Sequence, residues 1–453
     1  MYLAKERKNK VLCKLLLIAL VFVVLAPVTA LADNASDEAR IQRLEAAVKS
    51  LQSELQSLKA ERARRPLTTA DQKRVEKMVN KMIQENKADL GVVPEWVKNM
   101  KWFGDFRYRH EGFDDTGQDA TKRNRNRIRF RLGLKAKVND DWDVIFRLAS
   151  GSSETPTSTN QTIGDSSGSS TSSGEAFSSK DLWLDLAYGV WHPDSIEGFK
   201  LLMGKMKNPF FRAGKNQVIW DSDVNPEGIA VQYNWAVSDA ATAYLNAGGF
   251  WIEERSTDGD AGLFGLQGYL KHKFFDDTKL IVGAGLYCFT NIEGFTPPDS
   301  ISSAGSGNTL TGGLYEYDYD LVEAFSEYSF KCHGLPVALF ATYVQNKASV
   351  NNRDTAYFLG FKLNKIKKTG DWQFTYDYRD VETDATLGGL TDSDFIDGGT
   401  DGAGHKLAFA YQLDKNLKAG LTYFCTERFN SSDVAHNTDR FRRWQIDMVY
   451  KFK

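Results

Sequence analysis

From residue 101 to the end of the chain, apolar and polar positions alternate with a period of two, in about sixteen runs separated by turn residues. The clearest run is Arg123 to Val138. In it Arg123, Arg125, Arg127, Arg129, Arg131, Lys135 and Lys137 share one phase, and Ile128, Phe130, Leu132, Leu134, Ala136 and Val138 share the other. Alternate residues of a β-strand point to opposite faces, so this is one strand with a basic face and an apolar face. An arginine facing lipid near the bilayer midplane costs roughly 2–4 kcal/mol, so three would consume about a domain's whole stability. The basic face must therefore be wet and the apolar face must meet lipid.

The expected strands of the first half are 102–111, 125–138, 142–150, 181–192, 199–206, 228–236, 241–253 and 261–274. The second half adds 279–289, 320–331, 336–346, 355–364, 371–380, 404–413, 416–427 and 441–452. Lengths near ten residues suit tilted membrane strands. Short turns such as Asn139-Asp140-Asp141, Asp276-Asp277 and Asp414-Lys415-Asn416 alternate with long polar connections after Ser150, around Pro297-Pro298 and after Asp380. Trp372, Phe374, Tyr376 and Tyr378, and likewise Trp444, Ile446, Met448, Tyr450 and Phe452, occupy apolar phases where an interfacial aromatic belt is expected. The pattern predicts an all-β transmembrane barrel of about sixteen antiparallel strands over residues 101–453.

Before residue 101 the period is helical. Ile41, Leu44, Val48, Leu51, Leu55 and Leu58 follow the 4-3 spacing of a short α-helical coiled coil, whose seam needs partners to bury it. Pro66 ends it, and Val75, Met78, Met82 and Ile83 mark a second helical stretch. Residues 33–100 are expected to be a periplasmic helical region that self-associates. The basic run Arg62, Arg64, Arg65, Lys73, Arg74 and Lys77 allows a tether to peptidoglycan, although charge runs are ordinarily solvated faces. Residues 1–32 combine a basic start, an apolar core from Leu15 to Leu25 and an Ala30-Leu31-Ala32 cleavage pattern, which predicts a signal peptide.

Composition narrows the function. A net charge of −2 over 453 residues excludes a generally basic nucleic-acid binder, and 26% charged residues exclude a helical membrane bundle. A mean hydropathy of −0.42 with 12% aromatics fits a membrane protein only if alternate residues meet lipid. Cys288, Cys332 and Cys425 are too few and scattered for a disulfide framework or metal cluster and read as packing residues. No phosphate loop, nucleophile elbow or zinc helix is present, so no enzyme and no cofactor is expected. A His110 or His405 beside a lumen serine is the remaining enzymatic alternative.

The candidate site is the lumen. Arg107, Arg109, Arg125, Arg127, Arg129, Arg131 and Lys135 are the expected pore-lining residues, giving an anion-favouring path. The opposing expectation is that acids such as Asp185, Glu323, Glu327 and Asp377 neutralise the row. The connection from Lys207 to Glu227 carries Phe210, Phe211, Val218, Ile219 and Trp220, too apolar for a loop in water, so it should fold inward and narrow the lumen. Its charged residues are Lys207, Arg212, Lys215, Asp221, Asp223 and Glu227, with the acids expected to face the arginine strand across a transverse field. Asp221-Ser222-Asp223 opens like a calcium loop, but Pro226 and Gln232 stand where its glycine and glutamate belong.

The segments R-N-R-I-R-F-R-L-G-L-K-A-K-V-N-D, W-D-V-I-F-R-L-A-S-G, S-T-N-Q-T-I-G, K-D-L-W-L-D-L-A-Y, L-L-M-G-K-M-K-N-P-F-F and W-D-S-D-V-N-P-E-G resemble the putative-porin family of Gram-negative outer membranes. The similarity runs from Trp102 to the C-terminus. It implies a sixteen-stranded, trimeric, passive channel in the outer membrane, partnered by lipid and small hydrophilic solutes. In place of the usual terminal aromatic, Phe452 is followed by Lys453. Three functions follow: a diffusion porin, a channel selective for anions such as phosphate or small carboxylates, or a structural protein joining outer membrane to cell wall.

Overall fold

The computed structural model describes residues 99–117, 122–151, 155–164, 177, 179–275, 278–298, 300–301, 305–429 and 438–452. The expected signal peptide and coiled coil, and the Asp276-Asp277 turn, lie outside the described residues. Sixteen long strands form the barrel. They are β1 (Met100–Asp115), β2 (Lys122–Lys137), β3 (Trp142–Ser150), β4 (Leu182–Trp191), β5 (Phe199–Lys205), β6 (Glu227–Ser238), β7 (Ala241–Glu253) and β8 (Ala261–Lys273). Then follow β9 (Lys279–Thr290), β10 (Asp320–Cys332), β11 (Leu335–Asn346), β12 (Thr355–Leu363), β13 (Trp372–Val381), β14 (Gly402–Gln412), β15 (Leu417–Arg428) and β16 (Asp439–Phe452). Each overlaps an expected strand. Neighbours in sequence pair antiparallel, and β16 pairs with β1, so the sheet closes on itself.

Closure removes every exposed edge, which is what lets a sheet cross a bilayer with its backbone satisfied. The outer phase is apolar and uncovered: Trp102, Phe106, Tyr108, Val282, Leu359, Leu421, Ile446 and Tyr450 are all exposed. So large an apolar surface is incompatible with water and is the face that meets lipid. The inner phase holds the charges. In β16, for example, Arg443, Gln445 and Asp447 alternate with outward Trp444, Ile446 and Met448. His110 shares the outward phase of Phe106 and Tyr108 and bonds Asn126, and His405 shares that of Leu407 and meets Tyr376, which removes both from any lumen chemistry.

Two kinds of connection alternate along the chain. At one mouth the turns are short, and Asn139 shows why: its side-chain oxygen accepts the N–H groups of Asp141 and Trp142, closing the β2–β3 turn locally. At the other mouth lie the long connections 151–181, 206–226, 291–319 and 382–401. Strand β5 is only seven residues because the chain after Lys205 turns inward. Gly204, at φ +120°, passes 2.3 Å (as a Cβ would) from the Ala187 carbonyl, which no side chain permits. Pro209 lacks the N–H that would continue the ladder. The Met206 N–H donates to the Pro226 carbonyl at 2.9 Å and closes the base of that loop.

Candidate functional site

The register of β1 places Arg107 opposite Arg129 and Arg109 opposite Arg127, with Asp105 opposite Arg131 and Glu111 opposite Arg125. Like charges directly opposite are destabilising, so this face needs anions to exist. Asp105 lies between two guanidinium groups, 2.7 Å from Arg129 Nη2 and 2.6 Å from Arg131 Nη2. Glu111, fully buried, accepts from Arg125, Arg127 and Arg443. Arg109 pairs with Asp447 at 2.7 Å and with Asp394 at 3.0 Å. Arg107 contacts Asn160 and is the ladder arginine without a carboxylate partner among the described residues. Lys135, exposed near the short-turn mouth, pairs with Asp143 at 2.8 Å.

Apart from Arg107 the row is therefore paired, but not by the acids expected from sequence. Asp185 holds Arg147, Asp377 holds Arg379, Glu323 accepts from Tyr287 and Gln267, and Glu327 accepts from a loop N–H. The acids that reach the arginines come from adjoining strands and from loops folded inside.

The loop 206–226 is the first of these. Phe210, Ala213, Val218, Ile219, Trp220 and Val224 are all buried against the inner wall. Phe210 meets Tyr287 edge-on with ring centroids 5.0 Å apart, and Phe211 packs on Tyr269 at 5.0 Å. Gln267 clamps Phe211 at both its N–H and its carbonyl. At the tip, Gly214 donates to Glu327 at 2.8 Å, Lys362 donates to the Gly214 carbonyl, and Asn216 donates to Thr342 at 3.2 Å. The loop thus covers the inner wall from β7 to β12.

Its charged residues separate into different roles. Asp223 reaches Arg131 at 3.2 Å and accepts from Thr159, so it touches the arginine strand directly instead of facing it across an open field. Burial opposes the Asp223 carboxylate, but Arg129 and Arg131 outweigh it and hold its pKa below the usual range. Burial, with Asp392 and Asp223 close by, pushes Asp221 well up. Arg212 donates to the Trp220 carbonyl at 2.9 Å. Lys207 keeps contact with water, yet desolvation, with repulsion from Arg147 and Arg131, lowers its pKa to about 8. Glu227 is a correction: it belongs to β6, lies on the outward phase of Ile229 and Val231, and pairs with Lys205. The strand starts at Glu227, one residue before the expected start at 228.

Sequence reasoning missed a second inward loop, 382–401, which looks polar and glycine-rich. Asp394 binds Arg109 and Arg443, and Arg443 also reaches Asp397 at 3.3 Å. Arg443 and Arg109 hold the Asp394 pKa well down against the opposing effect of burial. Arg379 joins Asp377 in the wall to Asp392 in the loop. Ala385, Leu387, Leu390, Phe395 and Ile396 are buried and were the available signal. A Cβ on Gly389 would stand 1.6 Å from Ile301, so a glycine is needed where the loop crosses its neighbour. The two inward loops are stitched together: Asp221 N–H donates to Leu390 O at 2.7 Å, Asp392 N–H to Gln217 O at 3.2 Å, and Ser393 N–H to the Asp221 carboxylate at 3.0 Å. A cavity of about 420 Å³ lies beside this junction, lined by Trp183, Asp185, Asp223, Asn225 and Leu390.

No group of side chains among the described residues could hold a metal ion. Cys288 is buried, and the free thiols Cys332 and Cys425 are exposed and half-buried respectively.

A family model described as Putative porin matches residues 113–312 and 315–452. Among solved structures the chain is similar to OprB of Pseudomonas putida at high pH, with 12% identity, 80% of this chain and 96% of that chain covered, and a TM-score of 0.51. It also matches the loop-deleted OmpT of Vibrio cholerae at 13% identity, 78% and 99% coverage and a TM-score of 0.43. The channel DcaP of Acinetobacter baumannii matches at 13% identity, 78% and 97% coverage and a TM-score of 0.41. No curated protein matches the chain in sequence. At these identities the OprB likeness speaks for the fold alone.

Proposed function

Because the chain belongs to the Putative porin family and is an outer-membrane channel and not an enzyme, we propose that it passes small hydrophilic solutes by diffusion through a lumen narrowed by residues 206–226. The observation that carries this reading is the docking of that loop on one side of the lumen, from β7 to β12. The remaining wall, from β13 through β16 to β2, is covered in part by the loop 382–401 at Arg379, Arg443 and Arg109 and elsewhere carries charges and small residues such as Ala408, Ala410 and Gly420 on its inner phase. A passage along that wall is charged and wet, as a conduction path must be. The pairing of Arg109, Arg125, Arg127, Arg129 and Arg131 makes those residues a balanced lining, and anion preference then rests on cations left unpaired. A homotrimer is supported by the 4-3 seam from Ile41 to Leu58, whose apolar positions need partners. Deleting residues 210–224 should raise single-channel conductance in planar bilayers. A deletion variant that inserts normally and conducts like the parent would overturn the constriction.

A further inference from the structure

Against the paired arginines stands a second set of cations that the alternation pattern did not single out. Lys362 on β12, Lys406 on β14, Lys418 on β15 and Lys451 on β16 all lie on the inner phase of their strands. None has a carboxylate partner among the described residues. Lys362 and Lys406 lie over the rings of Phe340 and Phe424 instead. The nearby acids are engaged: Asp447 with Arg109, Asp105 with Arg129 and Arg131, Asp377 with Arg379, and Glu327 with the Gly214 N–H. Asp105, Asp377 and Asp447 are each matched by arginine, whereas Glu327 meets only a neutral N–H, so of these acids one negative charge is set against four lysines and a positive excess remains.

The loop presents a fifth cation to the same place. Lys215 is exposed while Ala213, Gly214 and Asn216 beside it are buried. Its backbone is left-handed at φ +62°, directly after Gly214 at φ +61°. A non-glycine residue held there is strained, and such strain is sustained only where the surroundings fix it. Here three hydrogen bonds fix it, from Gly214 to Glu327, from Lys362 to Gly214 and from Asn216 to Thr342. The Lys215 side chain is left exposed at the tip of a loop docked on the inner wall. Lys362 on the wall donates to the Gly214 carbonyl beside Lys215, and the field of Lys215 extends to Lys418 and Lys451 as well.

We propose that Lys215, Lys418 and Lys451, with Lys362 and Lys406 beside them, form a subsite for small anions bearing two negative charges, inorganic phosphate being the simplest. This rests on the channel reading above and names its solute class. Lys418 lies opposite Val449, two residues from Lys451, so the two Cα atoms are a diagonal pair roughly 7–8 Å apart. Asp105 stands opposite Lys451 and Asp447 diagonal to Lys418, but both carboxylates are held by arginines, so the ammonium groups repel, and a doubly charged anion bridging them relieves that repulsion where a monovalent one does so only in part. Lysine's hydrated point charge on a flexible stem suits weak, repeated binding, which conduction requires.

The test is block of chloride current. Single channels of the full chain are recorded in KCl with increasing inorganic phosphate at pH 7.5, and with nitrate as the monovalent comparison. Phosphate should reduce the current saturably and nitrate should not. In the K215Q/K418Q/K451Q variant, half-block should need at least tenfold more phosphate, and the reversal potential in a KCl gradient should move toward cation preference. A channel that opens normally but shows no phosphate block overturns the subsite and leaves the porin reading standing. Block that is unchanged in the triple variant, or equal block by nitrate, overturns it too. A correctly inserted parent protein that opens no channel overturns both readings. The block in the parent protein needs no variant, so a misfolded triple variant does not shield the proposal. In that event K215Q alone, on an exposed side chain, should still weaken the block several-fold.

Discussion

Replacing Asp105 with Asn asks whether the arginine row is neutralised as described. The carboxylate bridges Arg129 at 2.7 Å and Arg131 at 2.6 Å. Asparagine preserves its shape and removes one negative charge. Arg131 would retain Asp223 at 3.2 Å, whereas Arg129 would lose its ion-pair partner. One unit charge is thereby uncovered on the wall. At about 7 Å in water a unit charge acts on a permeating ion with about 0.6 kcal/mol, which a screening length of about 8 Å reduces to about 0.25 kcal/mol. The effect has opposite sign for potassium and chloride, so their permeability ratio should shift by about twofold toward chloride. Stability should fall as well, by about 1.5–3 kcal/mol, the usual worth of hydrogen bonds to a charged group. The assays are the reversal potential in a tenfold KCl gradient and the temperature at which the folded barrel loses its anomalous gel mobility. A variant unchanged in both would show that Asp105 does not lie between these arginines, and the account of a balanced ladder would fail.

Two further outcomes follow from the inward loop. A Cβ at Gly214 would stand 2.4 Å from the Phe340 ring on a backbone at φ +61°, so G214V should undock the tip and raise conductance toward that of the loop deletion; unchanged conductance would mean that the tip does not rest on β11. Lys207, with a pKa lowered to about 8, is charged below that pH and neutral above it, so raising pH from about 7 to 9 should move the reversal potential toward cation preference. K207Q should flatten that part of the pH profile, and an unaltered profile would remove Lys207 from the conduction path.

The period-two pattern carried the barrel because its cause is local. Lipid on one side and water on the other impose opposite demands on successive residues, and a one-residue slip of Arg127, Arg129 and Arg131 would carry charge into lipid. Strand number, the inner phase and the inward course of the loop bearing Phe210, Val218 and Trp220 were legible for that reason. Which charge meets which was not. Arg109 and Asp394 are 285 residues apart, and Arg443 and Glu111 are 332 apart, so nothing in the neighbourhood of either residue announces its partner. The loop 382–401 shows the same limit: its aspartates read as solvated until the closed barrel sets Arg379, Arg109 and Arg443 around them. Lys362, Lys406, Lys418 and Lys451 share one inner wall only because closure sets their strands around one lumen, and that none has a carboxylate ion-pair partner among the described residues is a property of that arrangement. Sequence alone determined which faces are wet, since solvation acts on each residue where it stands. Tertiary structure decided which charges are paired, since charge cancels only between groups that the fold has placed in contact.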